Sequence, residues 1–180
     1  MKQEEVLLIE ACRKGDQRAC KQLYDRFASK MYSLCLRYTR TNTAAEDILH
    51  DGFIKVFANL HTIRQADALE GWIRTIMINT ALNALRRNNE IAEQPDDSNL
   101  DDSQISHYDD LIIDNIDIQV ILDAIRQLPD QSRTAFNLCE IEGLTSAEAA
   151  ERLGLSPSSV RSNLQRAKRL LAQQLKEFKP

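Results

Sequence analysis

Apolar residues recur at three- and four-residue steps along the first half of the chain, which is the period of an α-helix. Two such stretches, about 3–14 and 17–38, are separated by Gly15 and Asp16. A third apolar stripe consists of Ala45, Ile48, Leu49, Gly52, Phe53, Val56, Phe57 and Leu60. The pattern therefore predicts amphipathic helices that bury one face each.

Short polar pairs mark where two further helices begin. Thr43 with Glu46, and Asp67 with Glu70, have the spacing of capping boxes. They predict helices over about 44–59 and 68–87, separated by the polar stretch 61–66.

The second half of the chain continues with the same helical period. Its first stripe is Ile118, Ile121, Leu122, Ile125 and Leu128. Pro129 stops this helix, and a second one is expected near 131–142, ending at Gly143. With only five Gly and four Pro in 180 residues, the chain is predicted to be all-α, with two small helical domains.

A helix-turn-helix pattern follows Gly143. Thr145 and Glu148 cap a short helix that runs to Leu153, Gly154-Leu155-Ser156 forms a turn, and Ser156 caps a helix that begins at Pro157. Two helices joined by such a turn form the motif that places its second helix in the DNA major groove.

The second helix of this motif has an apolar stripe and a polar outer face. The stripe is Val160, Leu164, Ala167 and Leu171. The other faces carry side chains that read base edges and bind phosphates, namely Ser158, Ser159, Arg161, Ser162, Gln165, Arg166 and Arg169. A plain helical hairpin with a solvated basic face is the alternative. The coincidence of caps, turn and polar face favours DNA binding.

The net charge of −4 conceals a division along the chain. Residues 1–88 carry 14 basic and 10 acidic side chains, and residues 119–180 carry nine basic and seven acidic ones. Residues 89–118 carry ten acidic side chains and no Lys or Arg. This segment has too little apolar surface to form a core, so it is predicted to be a flexible acidic linker between two domains.

Two polar surfaces in the first half are candidate binding faces. Asp47 and Asp51 lie one helical turn apart with Ile54 beyond them, which suits a partner with basic and apolar surface; a solvated acidic face explains them equally well. The next helix carries Trp72, Arg74, Asn79, Asn83, Arg86 and Arg87, an aromatic with amide and basic groups suited to bases and phosphates. Trp72 taken alone is more typical of a helical core than of a binding surface.

Several classes of function are disfavoured. The apolar runs are too short for a membrane span or a signal peptide, so we expect a cytoplasmic protein without membrane insertion. Cys12, Cys20, Cys35 and Cys139 form no CxxC pair, and His50, His61 and His107 form no ligand cluster. We therefore expect buried free thiols, no metal and no cofactor. No nucleophile and base are paired as in a catalytic site, so an enzyme is not expected.

Four segments in order resemble the extracytoplasmic-function (ECF) sigma factors of bacterial RNA polymerase. RKGDQRACKQLY (13–24) is similar to the opening helices of that family. AAEDILHDGFIKVF (44–57) and GWIRTIMINTALNALRR (71–87) resemble the polymerase-binding and promoter-melting segments of region 2. Residues 128–171 resemble region 4, which reads the minus-thirty-five element.

The resemblance implies a role for each candidate surface. Asp47, His50, Asp51 and Ile54 would dock on the clamp helices of the largest subunit of core RNA polymerase. The loop 61–66, with His61, Thr62, Ile63 and Arg64, would capture an extruded base of the minus-ten element. Trp72, Arg74 and Asn79 would line the upstream edge of the melted DNA. An anti-sigma factor is a further expected partner.

A stand-alone helix-turn-helix regulator that binds duplex DNA is the alternative from a different class. Such a regulator usually carries a sensor domain ahead of its DNA-binding domain. The first half of this chain shows no alternation of strands and helices typical of a receiver domain. Binding to DNA with and without polymerase distinguishes the two classes.

Overall fold

The structure is a computed structural model that describes residues 2–63, 65, 68–91 and 116–178. Within these ranges the chain forms eight α-helices and no strand, so the predicted all-α fold is confirmed. The residues group into two compact units. The first contains the described residues of 1–35 and 41–112, and the second contains 36–40 and those from 113 onward. No helix in the described ranges is both long enough and apolar enough to cross a membrane.

Four helices account for most of the first unit. They are α1 (Lys2–Arg13), α2 (Gln17–Tyr38), α3 (Asn42–Asn59) and α4 (Leu69–Ile91), and a single 3-10 turn, Leu60–Thr62, follows α3. The α1–α2 junction lies at Gly15 and Asp16, as predicted. Gly15 adopts a positive φ of 81°, and the Asp16 carboxylate accepts hydrogen bonds from the backbone N–H groups of Arg18 and Ala19 at 2.8 and 3.2 Å.

All four helices contribute buried side chains to the core of the first unit, and α3 and α4 pack directly against each other. The predicted buried face of α3 is confirmed, since all its members except the half-buried Phe57 are buried. Gly52 permits the closest approach, because a Cβ at this position would collide with the thioether of Met77 on α4. Tyr24 of α2 packs its ring against Phe53, with ring centroids 4.5 Å apart.

The start of α3 differs from the sequence prediction. Its N-cap is Thr41, with extended φ and ψ of −119° and 154°, and the Thr41 hydroxyl accepts from the Ala44 N–H. The predicted cap, Thr43, is an exposed residue inside the first turn. Both threonines suit a cap, but only Thr41 lies where the backbone is still extended. The second predicted box includes Asp67, which lies outside the described residues, and α4 continues past the predicted end to Ile91.

The second unit contains the helix-turn-helix. Its helices are α5 (Ile116–Arg126), α6 (Asp130–Phe136), α7 (Ser146–Leu153) and α8 (Pro157–Gln174), and a 3-10 turn, Leu175–Phe178, follows α8. Its core includes Ala124, Ile125, Leu128, Ala167 and Leu171, with Phe136, Ile141, Leu170 and Leu175 packed against them. The apolar stripe of α5 is only partly in this core, because Ile118 and Ile121 remain about half exposed, at 51% and 48%.

The single helix expected near 131–142 is in fact two pieces. α6 ends at Phe136 and continues as a π-helical turn, Asn137–Ile141. The wider hydrogen bond from the Glu142 N–H to the Asn137 carbonyl, 2.9 Å, closes this turn. Gly143 follows with a positive φ of 75°, so the predicted end of the helical stretch is confirmed.

A buried arginine joins the ends of α5 and α6. Arg133 is 1% exposed, and its guanidinium donates to the carbonyls of Arg126 and Leu128 at 3.1 and 3.3 Å and to the Asp130 carboxylate at 3.0 Å. Burial lowers the pKa of Arg133, and the Asp130 charge opposes that shift. The paired carboxylate therefore compensates a buried cation.

The four cysteines are free thiols, as predicted, but only two of them are buried. Cys12 and Cys35 are buried, whereas Cys20 and Cys139 are partly exposed. Burial, with a smaller contribution from Cys20, raises the pKa of the Cys12 thiol to about 12. Residues 92–115, most of the predicted acidic linker, lie outside the described residues.

Candidate functional site

The first helix of the helix-turn-helix begins with a complete capping box. The Thr145 hydroxyl accepts from the Glu148 N–H at 3.2 Å, and the Glu148 carboxylate accepts from the Thr145 N–H at 2.8 Å. The same carboxylate accepts from the Thr145 hydroxyl at 2.7 Å. Hydrogen bonds to the charged form lower the pKa of Glu148. The predicted start of α7 is confirmed in residue and in geometry.

The turn between α7 and α8 also follows the sequence prediction. Gly154 adopts the left-handed conformation, with φ 67° and ψ 31°, and the Leu155 N–H donates to the Ala150 carbonyl at 3.0 Å. The Ser156 hydroxyl then accepts from the Ser159 N–H at 3.1 Å, and Pro157 is the first helical residue. These contacts fix the rotation of α8 about its own axis.

That rotation presents the predicted polar face to solvent. Val160, Ala167 and Leu171 are buried, and all seven candidate DNA-binding side chains are exposed. The guanidinium groups of Arg161, Arg166 and Arg169 form no ion pair with any described residue. Lys168 differs, because its ammonium group lies 2.8 Å from the Glu140 carboxylate. The Ser158 and Ser159 hydroxyls each lie 2.8 Å from the Ser156 hydroxyl and so also belong to the helix cap.

A cleft in the first unit brings together part of the second candidate surface. It has a volume of about 390 Å³ and lies between α3, the 3-10 turn and α4. It is lined by Lys55, Asn59, Thr62, Trp72, Ile76, Asn79, Thr80 and Asn83. The lining combines one aromatic ring, several amide and hydroxyl groups and one cation, which is the chemistry that holds a single-stranded nucleotide.

Four of the residues predicted on this surface line the cleft: Thr62, Trp72, Asn79 and Asn83. Arg74, Arg86 and Arg87 lie elsewhere on α4, and His61 is exposed on the 3-10 turn, with its Nδ1 3.1 Å from the Ala58 carbonyl. Ile63 corrects the sequence prediction. It is only 8% exposed, because its apolar side chain packs into the core and cannot face DNA. Arg64 lies outside the described residues.

The sequence interpretation missed the α3 side of the cleft. The Lys55 ammonium donates to the Thr80 hydroxyl at 3.0 Å, which ties α3 to α4 across the cleft. Ile76, Thr80 and Asn83 follow Trp72 at helical steps, so the α4 stripe was visible in the sequence. Lys55 and Asn59 carried no such signal, because their place depends on how α3 packs against α4.

The acidic face of α3 is as exposed as the sequence suggested. Asp47, His50 and Asp51 are exposed, and Ile54 is 66% exposed. Neither Asp47 nor Asp51 forms an ion pair with a described residue. Lys55 is one turn beyond Asp51, where it could neutralise it, but its ammonium group is bound to Thr80. The face therefore combines two uncompensated carboxylates with an exposed apolar side chain.

The described residues contain no group of three or more side chains that could hold a metal ion.

Comparison with known proteins gives each unit a counterpart. Residues 23–91 match the family model described as Sigma-70 region 2, and residues 118–171 match that described as Sigma-70, region 4. The first match contains α3, α4 and the cleft, and the second contains the helix-turn-helix. The two matches define a sigma-70-type protein that carries these two regions.

Relatives that match almost end to end are more specific. The chain is 29% identical over 175 residues to the ECF RNA polymerase sigma-E factor of Haemophilus influenzae, covering 91% of each chain. It is 29% identical over 174 residues to that of Escherichia coli, covering 90% of this chain and 89% of the relative. The chain belongs to the extracytoplasmic-function sigma factors of bacterial RNA polymerase.

Two solved structures share the fold. The sigma factor RpoE in complex with the anti-sigma factor NepR from Bartonella quintana matches with a TM-score of 0.53 at 22% identity, covering 97% of this chain and 96% of that one. CnrH in complex with the cytosolic domain of CnrY matches with a TM-score of 0.50 at 21% identity, covering 96% and 97%.

Family membership also gives the function in outline. The chain is a sigma factor that supports promoter-specific initiation by RNA polymerase. A stand-alone helix-turn-helix regulator is not favoured, because the match over residues 23–91 is to region 2 of sigma-70.

Proposed function

We propose that the two halves of the chain divide promoter recognition between them. Residues 119–180 read the minus-thirty-five element as duplex DNA, and residues 1–88 bind core polymerase and the melted minus-ten element. Residues 89–118 connect them. The observation that carries this proposal is the outward face of α8, a helix that begins at the Ser156 cap. Its three arginines form no ion pair with a described residue.

The outward face of α8 suits a major groove. That groove admits one α-helix, and an arginine there donates two hydrogen bonds to one guanine. Arg161, Ser162, Gln165 and Arg166 lie nearest the N-terminal half of the helix and are assigned to base edges. Ser158 and Ser159 are assigned to phosphates, since the helix N-terminus attracts anions. Arg169, further along the same face, is assigned to a phosphate because of its charge.

The cleft of the first unit suits an unstacked base. Trp72 offers a ring on which a base can stack, and the amide groups of Asn79 and Asn83 offer both donors and acceptors to a base edge. Neither amide is hydrogen-bonded to another described residue, so both are available to DNA. Arg74, Arg86 and Arg87 are assigned to the backbone phosphates beside the cleft, with His61 and Thr62 at its rim.

The acidic face of α3 is assigned to the polymerase. Asp47, Asp51 and Ile54 would meet a surface that is basic with an apolar pocket, and His50 lies among them. RpoE and CnrH are each described in complex with another protein, RpoE with an anti-sigma factor. We propose that this chain also binds an anti-sigma factor, and that it acts in the cytoplasm with the polymerase, without catalysing a reaction itself.

DNA binding with and without core polymerase tests the proposal. A promoter is first selected from randomised duplex DNA by transcription with the reconstituted holoenzyme. In a gel shift on that duplex we expect a complex when core and protein are both present, and little or none with either alone. A strong shift by the protein alone, unchanged by core, would instead identify a stand-alone regulator.

The docking face has its own test, the charge reversal Asp51→Arg. Because the partner surface is assigned as basic, affinity for core polymerase should fall by about tenfold or more. Glu10→Arg on α1 is the matched control, since it reverses an exposed acid away from this face. Both variants should keep the circular dichroism and melting of the wild type. Normal core binding by Asp51→Arg would show that the face is misassigned.

A further inference from the structure

Within the first unit, the Arg13 side chain contacts backbone carbonyls next to Thr62, a residue of the cleft that is distant from it in sequence. The guanidinium of Arg13, at the end of α1, donates to the Leu60 carbonyl from Nε at 3.1 Å and from Nη2 at 3.0 Å. Nη2 also donates to the Ile63 carbonyl at 2.6 Å. One side chain therefore holds both ends of the four-residue segment 60–63.

The chemistry of this contact is specific to arginine. Leu60 is the C-cap of α3, where backbone carbonyls lack partners inside the helix and carry its partial negative charge. A guanidinium is planar and has five N–H groups in a fixed fork, so it can serve two carbonyls together. A lysine ammonium keeps the charge but not the fork.

The segment that Arg13 holds contributes one residue, Thr62, to the lining of the cleft. Trp72 and Asn79 of α4 line the same cleft, and the Thr62 hydroxyl donates to the Asn59 carbonyl at 2.8 Å. Local bonds of this kind fix Thr62 relative to α3. The bonds from Arg13 fix the path of the chain as it leaves α3, and hence the distance between Thr62 and the α4 wall.

We infer that Arg13 is a positioning residue of the cleft: by holding the 60–63 segment it sets the width at which one unstacked base is gripped. The inference rests on the proposed binding of minus-ten DNA in this cleft. Arg13 itself touches no DNA, and its effect is transmitted through the position of Thr62.

The alternative is that Arg13 only stabilises the packing of α1 against the rest of the unit. The chain offers a matched control for this, because Arg26 of α2 also holds α1, with its Nη2 2.6 Å from the Glu5 carboxylate. Arg26 has no contact with the 60–63 segment. Arg26→Gln loosens α1, whereas Arg13→Gln loosens both α1 and the wall of the cleft.

The test measures how holoenzymes made with each variant bind a single-stranded oligonucleotide. The oligonucleotide is the non-template strand of the minus-ten element from a promoter selected with wild-type holoenzyme. A parallel set carries one abasic site at each position in turn. For the wild type, one abasic position should weaken binding much more than its neighbours, since that base occupies the cleft.

We expect Arg13→Gln to bind the intact oligonucleotide roughly tenfold more weakly, a loss on the scale of one charge-assisted contact. In the same variant, removing the base at the sensitive position should reduce the affinity by less than in the wild type, because the variant already binds that base weakly. Arg26→Gln should match the wild type in both quantities. Core affinity and melting should be alike in the two variants. Arg13→Lys should lie between Arg13→Gln and the wild type, and it carries the test should Arg13→Gln fail to fold.

Three results would overturn the inference. Arg13→Gln could bind like the wild type, it could keep the full abasic penalty, or it could lose core affinity in proportion to DNA affinity. If the wild type itself showed no sensitive position, the proposed function of the cleft would fall together with the role of Arg13.

Discussion

Three arginines on the outer face of α8 differ from the lysine beside them in what they contact. Arg161, Arg166 and Arg169 have no ion pair with a described residue, whereas Lys168 is held by Glu140. A guanidinium without an ion pair to a described residue gives up no such contact when it binds DNA, so we predict that these three side chains contribute most to recognition. Arg161 lies closest to the capped end of the helix, where base edges are read.

Arg161→Ala should remove the preference for one base pair of the minus-thirty-five element. The loss should be about 1–3 kcal/mol at that position if the arginine makes two hydrogen bonds to one base. Transcription from a sequence-randomised promoter library measures it, with Lys168→Ala as the control that leaves base preference unchanged. An unaltered preference in Arg161→Ala would remove this residue from the recognition set.

The position of some functional residues could be predicted from the sequence, and that of others could not. The outer face of α8 was predictable because the cap at Ser156 and the apolar stripe fix which side is exposed. Lys55 and Arg13 were not, because their partners lie 25 and 47 residues away. Ile63 was misplaced because an apolar side chain in a polar loop turned inward to the core.

At the scale of the helices, N-terminal caps and helix–helix contacts determine local stability. The α7 capping box is built around the Glu148 carboxylate, and hydrogen bonds from Thr145 lower the pKa of that group below its ordinary 4.5. A lowered folded pKa means that the carboxylate stabilises the fold above its unfolded pKa. That stabilisation is lost as the pH falls through the folded pKa.

Glu148→Gln isolates this effect, because glutamine keeps the hydrogen-bonding shape of the box but carries no charge. The variant should melt slightly lower than the wild type at pH 7, and the difference should narrow as the pH falls below about 4.5. Thermal melting by circular dichroism across this range checks it. A gap that stayed constant down to the most acid pH would mean that the charge contributes nothing.

The close approach of α3 to α4 at Gly52 gives a second prediction for the elements. Gly52→Ala forces a methyl group against the Met77 thioether and should lower the free energy of unfolding by about 1–3 kcal/mol. Gly71→Ala on α4 is the control, since its Cβ would meet nothing, and it should stabilise by up to about 1 kcal/mol. Urea titration measures both. Equal stability of the two variants would contradict the packing described.

The elements themselves were largely predictable from period and caps. α7, its turn and α8 were placed to the residue, because Thr145, Gly154, Ser156 and Pro157 each allow few local conformations. The start of α3 was misplaced because Thr41 and Thr43 are both good caps. The π-helical turn after α6 was missed because no proline or glycine marks it, and Asn137 there is fully buried.

At the scale of the whole molecule, charge is divided more sharply than the net value of −4 suggests. Both halves carry an excess of basic groups, whereas residues 89–118 have ten acids and no Lys or Arg. Such a segment is a polyanion, like the transcript and the DNA that the polymerase holds. Together with this charge, the resemblance to the ECF sigma factors implies that the segment occupies the path of the transcript in holoenzyme and is displaced as RNA grows; we predict this here. Fold-back onto the basic helix α8 is the competing prediction.

One variant separates these two predictions, with Asp96, Asp97, Asp101, Asp102, Asp109 and Asp110 changed to Asn, all outside the described residues. Occupation of the transcript path predicts weaker core binding and an altered yield of abortive transcripts, with DNA affinity of the free protein unchanged. Fold-back predicts tighter DNA binding without polymerase, because an internal competitor has lost its charge. If neither quantity changed, the acidity would serve solubility alone and both mechanisms would be wrong.

The organisation into two domains could be predicted from the sequence. The four segments that resemble the ECF sigma factors occur along the 180 residues in the order and at the spacing of that family. What the sequence alone could not give is the cleft, since Thr62, Trp72 and Lys55 come from three different elements. Their meeting depends on tertiary packing, which no local period encodes.

Run-off transcription tests the central claim most directly. Core RNA polymerase, this protein and a library of promoter-length duplexes are combined, and the 5′ ends of the transcripts are mapped. We expect discrete start sites that require both core and protein, downstream of two shared sequence elements. Arg161→Ala should weaken the base preference at one position of the upstream element, and Arg13→Gln should weaken it at one position of the downstream element. Transcripts no more abundant or specific than those of core alone, from protein that is folded, would contradict the assignment as a sigma factor.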